Sequence, residues 1–194
     1  MDTYPKYKIC VSGAAETSHC GPEAFKVAEE LGEEIASRGL VLVDGATTGF
    51  PLWAAKGAKQ NGGIVVGISP ASSQREHIER FELPVDYHDL IIYTGFGYSG
   101  RNLLLTRAAD AVIIGCGRMG TVNEFTIAFE DKKPIGILEG GWETDEVVKN
   151  ILEKSRRQTE HPYIVFNSVP AKLLDKLLLF IKERENKINN KGRC

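Results

Sequence analysis

Arg101, Thr121 and Glu124 are the residues whose types and spacing could do chemistry together. Thr121 and Glu124 are three apart, so on a helix they share one face, and their side chains lean back toward its N-terminus. Ahead of them runs Gly115-Cys116-Gly117-Arg118-Met119-Gly120, fed by the apolar stretch Ala109–Ile114. A buried strand, a glycine turn and a helix make an anion site, because the first N–H groups of a helix are unpaired and carry partial positive charge. Gly117 and Gly120 would let the backbone approach a phosphate, and Glu124 would hang over that cradle with Arg101 arriving from the preceding helix. The same residues also fit a plain capping box, in which Thr121 caps the helix and Glu124 reaches back to the cap.

Elements that could position these groups alternate along the chain. Strands are expected at Tyr7–Gly13, Leu40–Val43, Ile64–Ile68, Leu90–Thr94, Ala109–Gly115, Pro134–Leu138 and Tyr163–Phe166. Between them lie helical periods. One has Ala24, Val27, Ala28, Leu31 and Ile35 inward and stops at Gly39; a second opens at Pro51 and ends near Asn61. The Arg101 helix presents Leu104, Leu105 and Ala108, and the helix Asp145–Ser155 turns Val147, Val148, Ile151 and Leu152 inward. A last helix spans Pro170–Glu185. Ser69–Asp89 is irregular, with a short helix near Gln74–Arg80; it reads as a lid or rim, or as a solvated excursion with His77 and His88 on the surface. Alternation of this kind predicts an α/β fold: a Rossmann-like, doubly wound, mostly parallel sheet of about seven strands with helices on both faces. Residues 1–194 read as one nucleotide-binding domain, with a polar, frayed end at 186–194.

Composition narrows the classes. The 194 residues are 42% hydrophobic and 26% charged, with a net charge of -2, which argues against a nucleic-acid polymer as partner. No apolar run is long enough to span a membrane, and Met1–Lys6 has no signal-peptide character, so a cytoplasmic location is expected. Of the four cysteines, Cys10 and Cys116 read as reduced, small hydrophobes, and a chain of this size needs no disulfide staple. Cys116 sits in the candidate loop without a histidine nearby in sequence, which speaks against a nucleophile.

Three small-residue turns collect at the carboxyl ends of the strands, where parallel sheets bind ligands. They are Ser12-Gly13-Ala14-Ala15, Gly45-Ala46-Thr47-Thr48-Gly49 and Gly117–Thr121. Together they point to a nucleotide or sugar-phosphate site. The first turn lacks the dinucleotide fingerprint; the matching spacing Gly115-x-Gly117-x-x-Gly120 follows the fifth strand, a weak signal for a nicotinamide cofactor. Asp44 stands where many such folds hold a ribose hydroxyl, and equally where a turn residue belongs. No Walker motif, metal-binding aspartate cluster or marked pyridoxal-phosphate lysine is present, so neither cofactor nor metal is expected.

Gly100-Arg101-Asn102, Ala109–Ile114 and Gly117-x-x-Gly120-Thr121-x-x-Glu124 resemble the LOG family of cytokinin-activating phosphoribohydrolases. So do the Gly45–Phe50 turn and the Gly62–Pro70 strand. The resemblance runs from about Lys8 to Leu138 and lies within the Rossmann-like LOG/DprA superfamily. The departures are Gly115-Cys116-Gly117 in place of the hallmark Pro-Gly-Gly, and an extra residue before Gly120. These suit a branch that also resembles molybdenum-cofactor carrier proteins. The resemblance implies a nucleoside 5′-monophosphate ligand, with phosphate on Gly117, Arg118, Met119, Gly120 and Thr121 and further contacts from Ser12, Gly13, Gly45, Thr47 and Thr48. Glu124 and Arg101 would cleave the N-glycosidic bond, Arg101 lowering the Glu124 pKa. The alternative is a carrier or sensor of a nucleotide or molybdopterin-type cofactor. A homodimer is implied in either case.

Overall fold

The structure is a computed structural model, and it describes residues 6–191. Met1–Pro5, read for the absence of a leader, and Cys194 lie outside the described residues. The elements are β1 (Lys8–Ser12), α1 (Ala24–Ser37), β2 (Val41–Asp44), α2 (Phe50–Gln60), β3 (Ile64–Ser69), α3 (Gln74–Glu79), β4 (Leu90–Tyr93), α4 (Gly97–Ala108), β5 (Ala111–Ile114), α5 (Met119–Glu130), β6 (Ile135–Leu138), α6 (Thr144–Ser155), a 3-10 turn (Gln158–Glu160), β7 (Ile164–Asn167) and α7 (Pro170–Lys191).

The seven strands form one sheet in the order β4-β3-β2-β1-β5-β6-β7, and every pair is parallel. The strands are short and apolar on both sides, as a sheet covered on both faces requires. Alternation sorts their side chains. Ile9, Val11, Leu42, Ala111 and Ile113 pack under α1, α2 and α7, while Cys10, Val43, Val112 and Ile114 pack under α4, α5 and α6. Helices α1 and α2 approach closely because a Cβ at Gly32 would overlap the Ala54 carbonyl.

Strand order reverses between β1 and β5, so the loops after β1 and β5 diverge to opposite faces and open a crevice. Helix α4 starts at Gly97, ahead of Arg101, and α5 starts at Met119 rather than Thr121. Thr121 therefore lies inside the first turn with Arg118 at the cap position, and the Arg118 side chain makes no capping hydrogen bond among the described residues; the capping-box reading fails on geometry. The buried face of α4 is Arg101, Asn102, Leu105 and Thr106, while Leu104 is 40% exposed. On α6, Val148 and Leu152 are buried and Val147 is exposed. Helix α7 continues past Glu185 to Lys191.

Candidate functional site

The cleft at the switch point encloses about 210 Å³, between the β1, β2 and β5 loops and helices α4 and α5. The small-residue turns leave room there, and the first turn of α5 brings its unpaired backbone amides to one wall. Of the residues expected there, Ser12, Gly13, Gly45, Thr47, Arg101, Arg118, Gly120, Thr121 and Glu124 line it. Gly117, Met119 and Thr48 do not. The Gly117 N–H donates to Thr144 Oγ1 at 2.9 Å, Met119 is 81% exposed, and Thr48 Oγ1 donates to the Ala15 carbonyl at 3.0 Å.

Glu124 sits buried in the cleft wall. Ser12 Oγ donates to its Oε2, and Arg101 Nη1 lies 3.8 Å from its Oε1. The Asn102 amide lies 2.9 Å from Glu124 Oε1 and 3.0 Å from the Tyr98 carbonyl. Both are acceptors, so the amide nitrogen takes this side and donates to both. Burial pushes the Glu124 pKa above the ordinary carboxylate range, and the Arg101 charge and the Ser12 hydroxyl only partly oppose it. This corrects the expectation that Arg101 lowers it: removing water from the carboxylate outweighs a cation 3.8 Å away.

Arg101 is itself buried, with its guanidinium carbon 5.8 Å from the centre of the Tyr98 ring. Its Nε is buried with no hydrogen-bond partner among the described residues. A Cβ at Gly45 would overlap Arg101 Nη1, so the bare backbone of the β2 turn is the slot that admits this guanidinium.

Arg118 lines the cleft but is engaged at its rim. It donates to Glu16 Oε2 and, through Nε, to His19 Nδ1 at 3.2 Å. His19 Nε2 lies 3.5 Å from Cys116 Sγ, and Cys116 is disulfide-bonded to Cys20. Cys116 is thus neither reduced nor without a histidine. Both partners come from the β1–α1 loop, 96 residues away for Cys20, a distance no local spacing reveals.

Asp44 and the histidines of 69–89 are structural. Asp44 Oδ1 accepts from the Ala46 N–H and pairs with His88 Nε2 at 2.8 Å, and both side chains are fully buried. His77 is buried too, with Nδ1 2.8 Å from Ser69 Oγ and Nε2 2.9 Å from the Pro84 carbonyl. The segment is pinned down by these contacts and lines no part of the cleft, so it is not a lid over it. Asn102, Tyr98 and Glu16 also line the cleft without having been expected there; the Gly100-Arg101-Asn102 signature is the signal that pointed at Asn102.

A family model described as the SLOG cluster4 family matches residues 6–172. An uncharacterized protein of Archaeoglobus fulgidus is 36% identical over 132 residues, covering 68% of this chain and 80% of that one. The molybdenum cofactor binding protein of the phototrophic bacterium Rippkaea orientalis superposes with a TM-score of 0.72 at 27% identity, over 93% of this chain and 98% of that one. The molybdenum cofactor carrier protein of Chlamydomonas reinhardtii superposes with a TM-score of 0.72 at 25% identity, over 90% of this chain and 99% of that one.

Proposed function

The chain belongs to the SLOG cluster4 family, and on that premise we propose that the switch-point cleft binds a nucleoside 5′-monophosphate and hydrolyses its N-glycosidic bond. The observation that carries the reading is a buried carboxyl, Glu124, in the wall of a cleft that also holds a helix N-terminus and Arg101. The phosphate would take the amides of Gly120 and Thr121 and the guanidinium of Arg101. An enclosed volume of about 210 Å³ suits the phosphate and ribose, and the base would project toward the rim.

Cleavage builds positive charge on the ribose, as in other oxocarbenium-like reactions. Glu124 would take a proton from water as it attacks the anomeric carbon, and its raised pKa makes it a better base than an ordinary carboxylate. Ser12 and Asn102 hold the carboxyl in place. Water and nucleotide would give free base and ribose 5-phosphate.

A second reading is favoured by a specific observation. Ser12, Asn102 and Arg101 already occupy both Glu124 oxygens, which suits a rigid wall as well as it suits a base. On this reading the cleft carries a phosphate-bearing nucleotide or molybdopterin-type cargo without turnover, held by the same amides and Arg101. Either reading keeps the expectation of a cytoplasmic homodimer, which light scattering tests for assembly.

The deciding experiment is base release from a panel of nucleoside 5′-monophosphates, with Glu124→Ala as control. Release that requires the 5′-phosphate and disappears in the variant supports hydrolysis. Thermal stabilisation without release supports the carrier. Neither release nor stabilisation would overturn both.

A further inference from the structure

Beside the cleft, three side chains take no part in the ligand reading above. His19 Nε2 lies 3.8 Å from Cys20 Sγ and 3.5 Å from Cys116 Sγ, and all three ligand atoms fall within 4.8 Å of one another. Both cysteines are buried, while His19 is half-buried and offers a path in from solvent. Two thiolates and an imidazole are the donors that a borderline-soft d10 cation prefers, and three protein ligands leave its fourth position open. Zinc–sulfur and zinc–nitrogen bonds at tetrahedral angles hold such ligand atoms about 3.6 Å apart, close to the nitrogen–sulfur separations found. Only the two sulfurs, joined here as a disulfide, would have to part. Their Cα atoms are 5.7 Å apart, so side-chain rotation suffices.

We propose that His19, Cys20 and Cys116 form a redox-gated site for a zinc-class cation at the mouth of the cleft, with the disulfide as its oxidised, cation-free state.

Proton positions couple this site to the cleft. In the disulfide state His19 Nδ1 accepts from Arg118 Nε at 3.2 Å, so the ring proton is on Nε2, facing the sulfurs. A cation takes the Nε2 lone pair and moves the ring proton to Nδ1. Nδ1 then cannot accept from Arg118, whereas Glu16 Oε2, 3.8 Å away, is the carboxylate that can accept from it, as carboxylates commonly do behind metal-bound histidines. Loading the site thus turns His19 from Arg118 to Glu16 and loosens a cleft-lining arginine.

The chemistry balances. A dithiol reductant gives two electrons and two protons to the disulfide and becomes a disulfide itself; the two new thiols lose their protons as the cation binds. In reverse, hydrogen peroxide takes two electrons from the two thiolates and two protons from solvent. The S–S bond forms, two waters are produced and the cation leaves.

The test is an anaerobic titration of full-length protein with Co2+, a spectroscopic stand-in for zinc, in reduced and oxidised forms. The reduced protein is expected to bind a single equivalent with a thiolate-to-metal charge-transfer band, and peroxide to bleach that band while restoring the disulfide. His19→Ala should weaken binding about tenfold or more, and Cys116→Ser should abolish the band. The proposal is overturned if reduced wild-type protein shows no such band with excess Co2+. It is equally overturned if the oxidised protein or Cys116→Ser shows the same band. The comparison of reduced with oxidised wild-type protein needs no substitution, so it decides the matter even where a variant folds poorly.

Discussion

Ser12 Oγ donates to Glu124 Oε2, and this bond ties the carboxyl end of β1 to the second turn of α5 across the switch point. Both groups are buried in the cleft wall, so removing the hydroxyl leaves Glu124 Oε2 short of a built-in partner. Ser12→Ala should cost about 1–3 kcal/mol of stability, the range for orphaning a buried acceptor, read by urea unfolding. The Ser12 hydroxyl favours the charged form of Glu124, so its loss should raise that pKa further. Any activity that needs the Glu124 carboxylate should then shift its acidic limb to higher pH, and an unmoved limb would count against Glu124 as the titrating group.

Arg101 and Gly45 make a paired prediction. A Cβ at Gly45 would overlap Arg101 Nη1, so Gly45→Ala must displace the guanidinium that faces Glu124. Gly45→Ala and Arg101→Ala should weaken nucleotide binding by similar amounts, about 1.5–3 kcal/mol for a lost charge-assisted contact. The double variant should be little worse than either single one. Calorimetric titration with a nucleoside 5′-monophosphate reads all three. Additive losses would separate the glycine from the arginine.

Much of this arrangement is legible in the chain and some is not, for physical reasons. Val112, Ile113 and Ile114 have no polar alternation, so a parallel strand buried on both faces follows from them alone; the glycines after it announce the α5 N-terminus. The α4 helix misleads because its apolar residues do not all point inward. Its inner face borders the cleft, so Arg101, Asn102 and Thr106 are buried while Leu103 and Leu104 face out. The partners Asp44–His88 and Cys20–Cys116 are far apart in sequence and meet only once the sheet order is known. The Glu124 pKa direction depends on burial, which no motif encodes.

His88 supplies a pH prediction with a definite sign. Burial pulls its pKa down, but the hydrogen bond and charge of Asp44, with the Asp86 carbonyl and the Asp89 charge, together outweigh burial and hold it above the ordinary histidine value. A group whose folded pKa is raised lends stability that is complete below the unfolded value of about 6.5 and is lost as pH rises through the folded pKa. Melting temperatures at about pH 6 and about pH 8.5, on either side of that window, should show an excess alkaline loss in wild type relative to His88→Gln. Equal losses would mean that His88 takes up its proton at the same pH folded and unfolded, so that Asp44 does not hold its charged form.

His161 runs the other way. It is buried between Phe129 and Tyr163, its Nδ1 accepts from the Tyr163 N–H at 3.3 Å, and its Nε2 has no partner among the described residues. Burial first, and the Lys132 charge second, push its pKa down to about 4. The unfolded chain therefore takes up this proton near pH 6.5 while the folded protein refuses it until about pH 4. Stability contributed by the neutral ring is complete above about pH 6.5 and drains away as pH falls toward 4, by about 3 kcal/mol over that window. Urea unfolding at about pH 7 and about pH 4.5, which bracket most of that window, should show a smaller acid loss in His161→Gln than in wild type, even though the variant is less well packed at neutral pH. An identical acid loss in the two proteins would show that His161 protonates in the folded state without resistance, and that water reaches its ring.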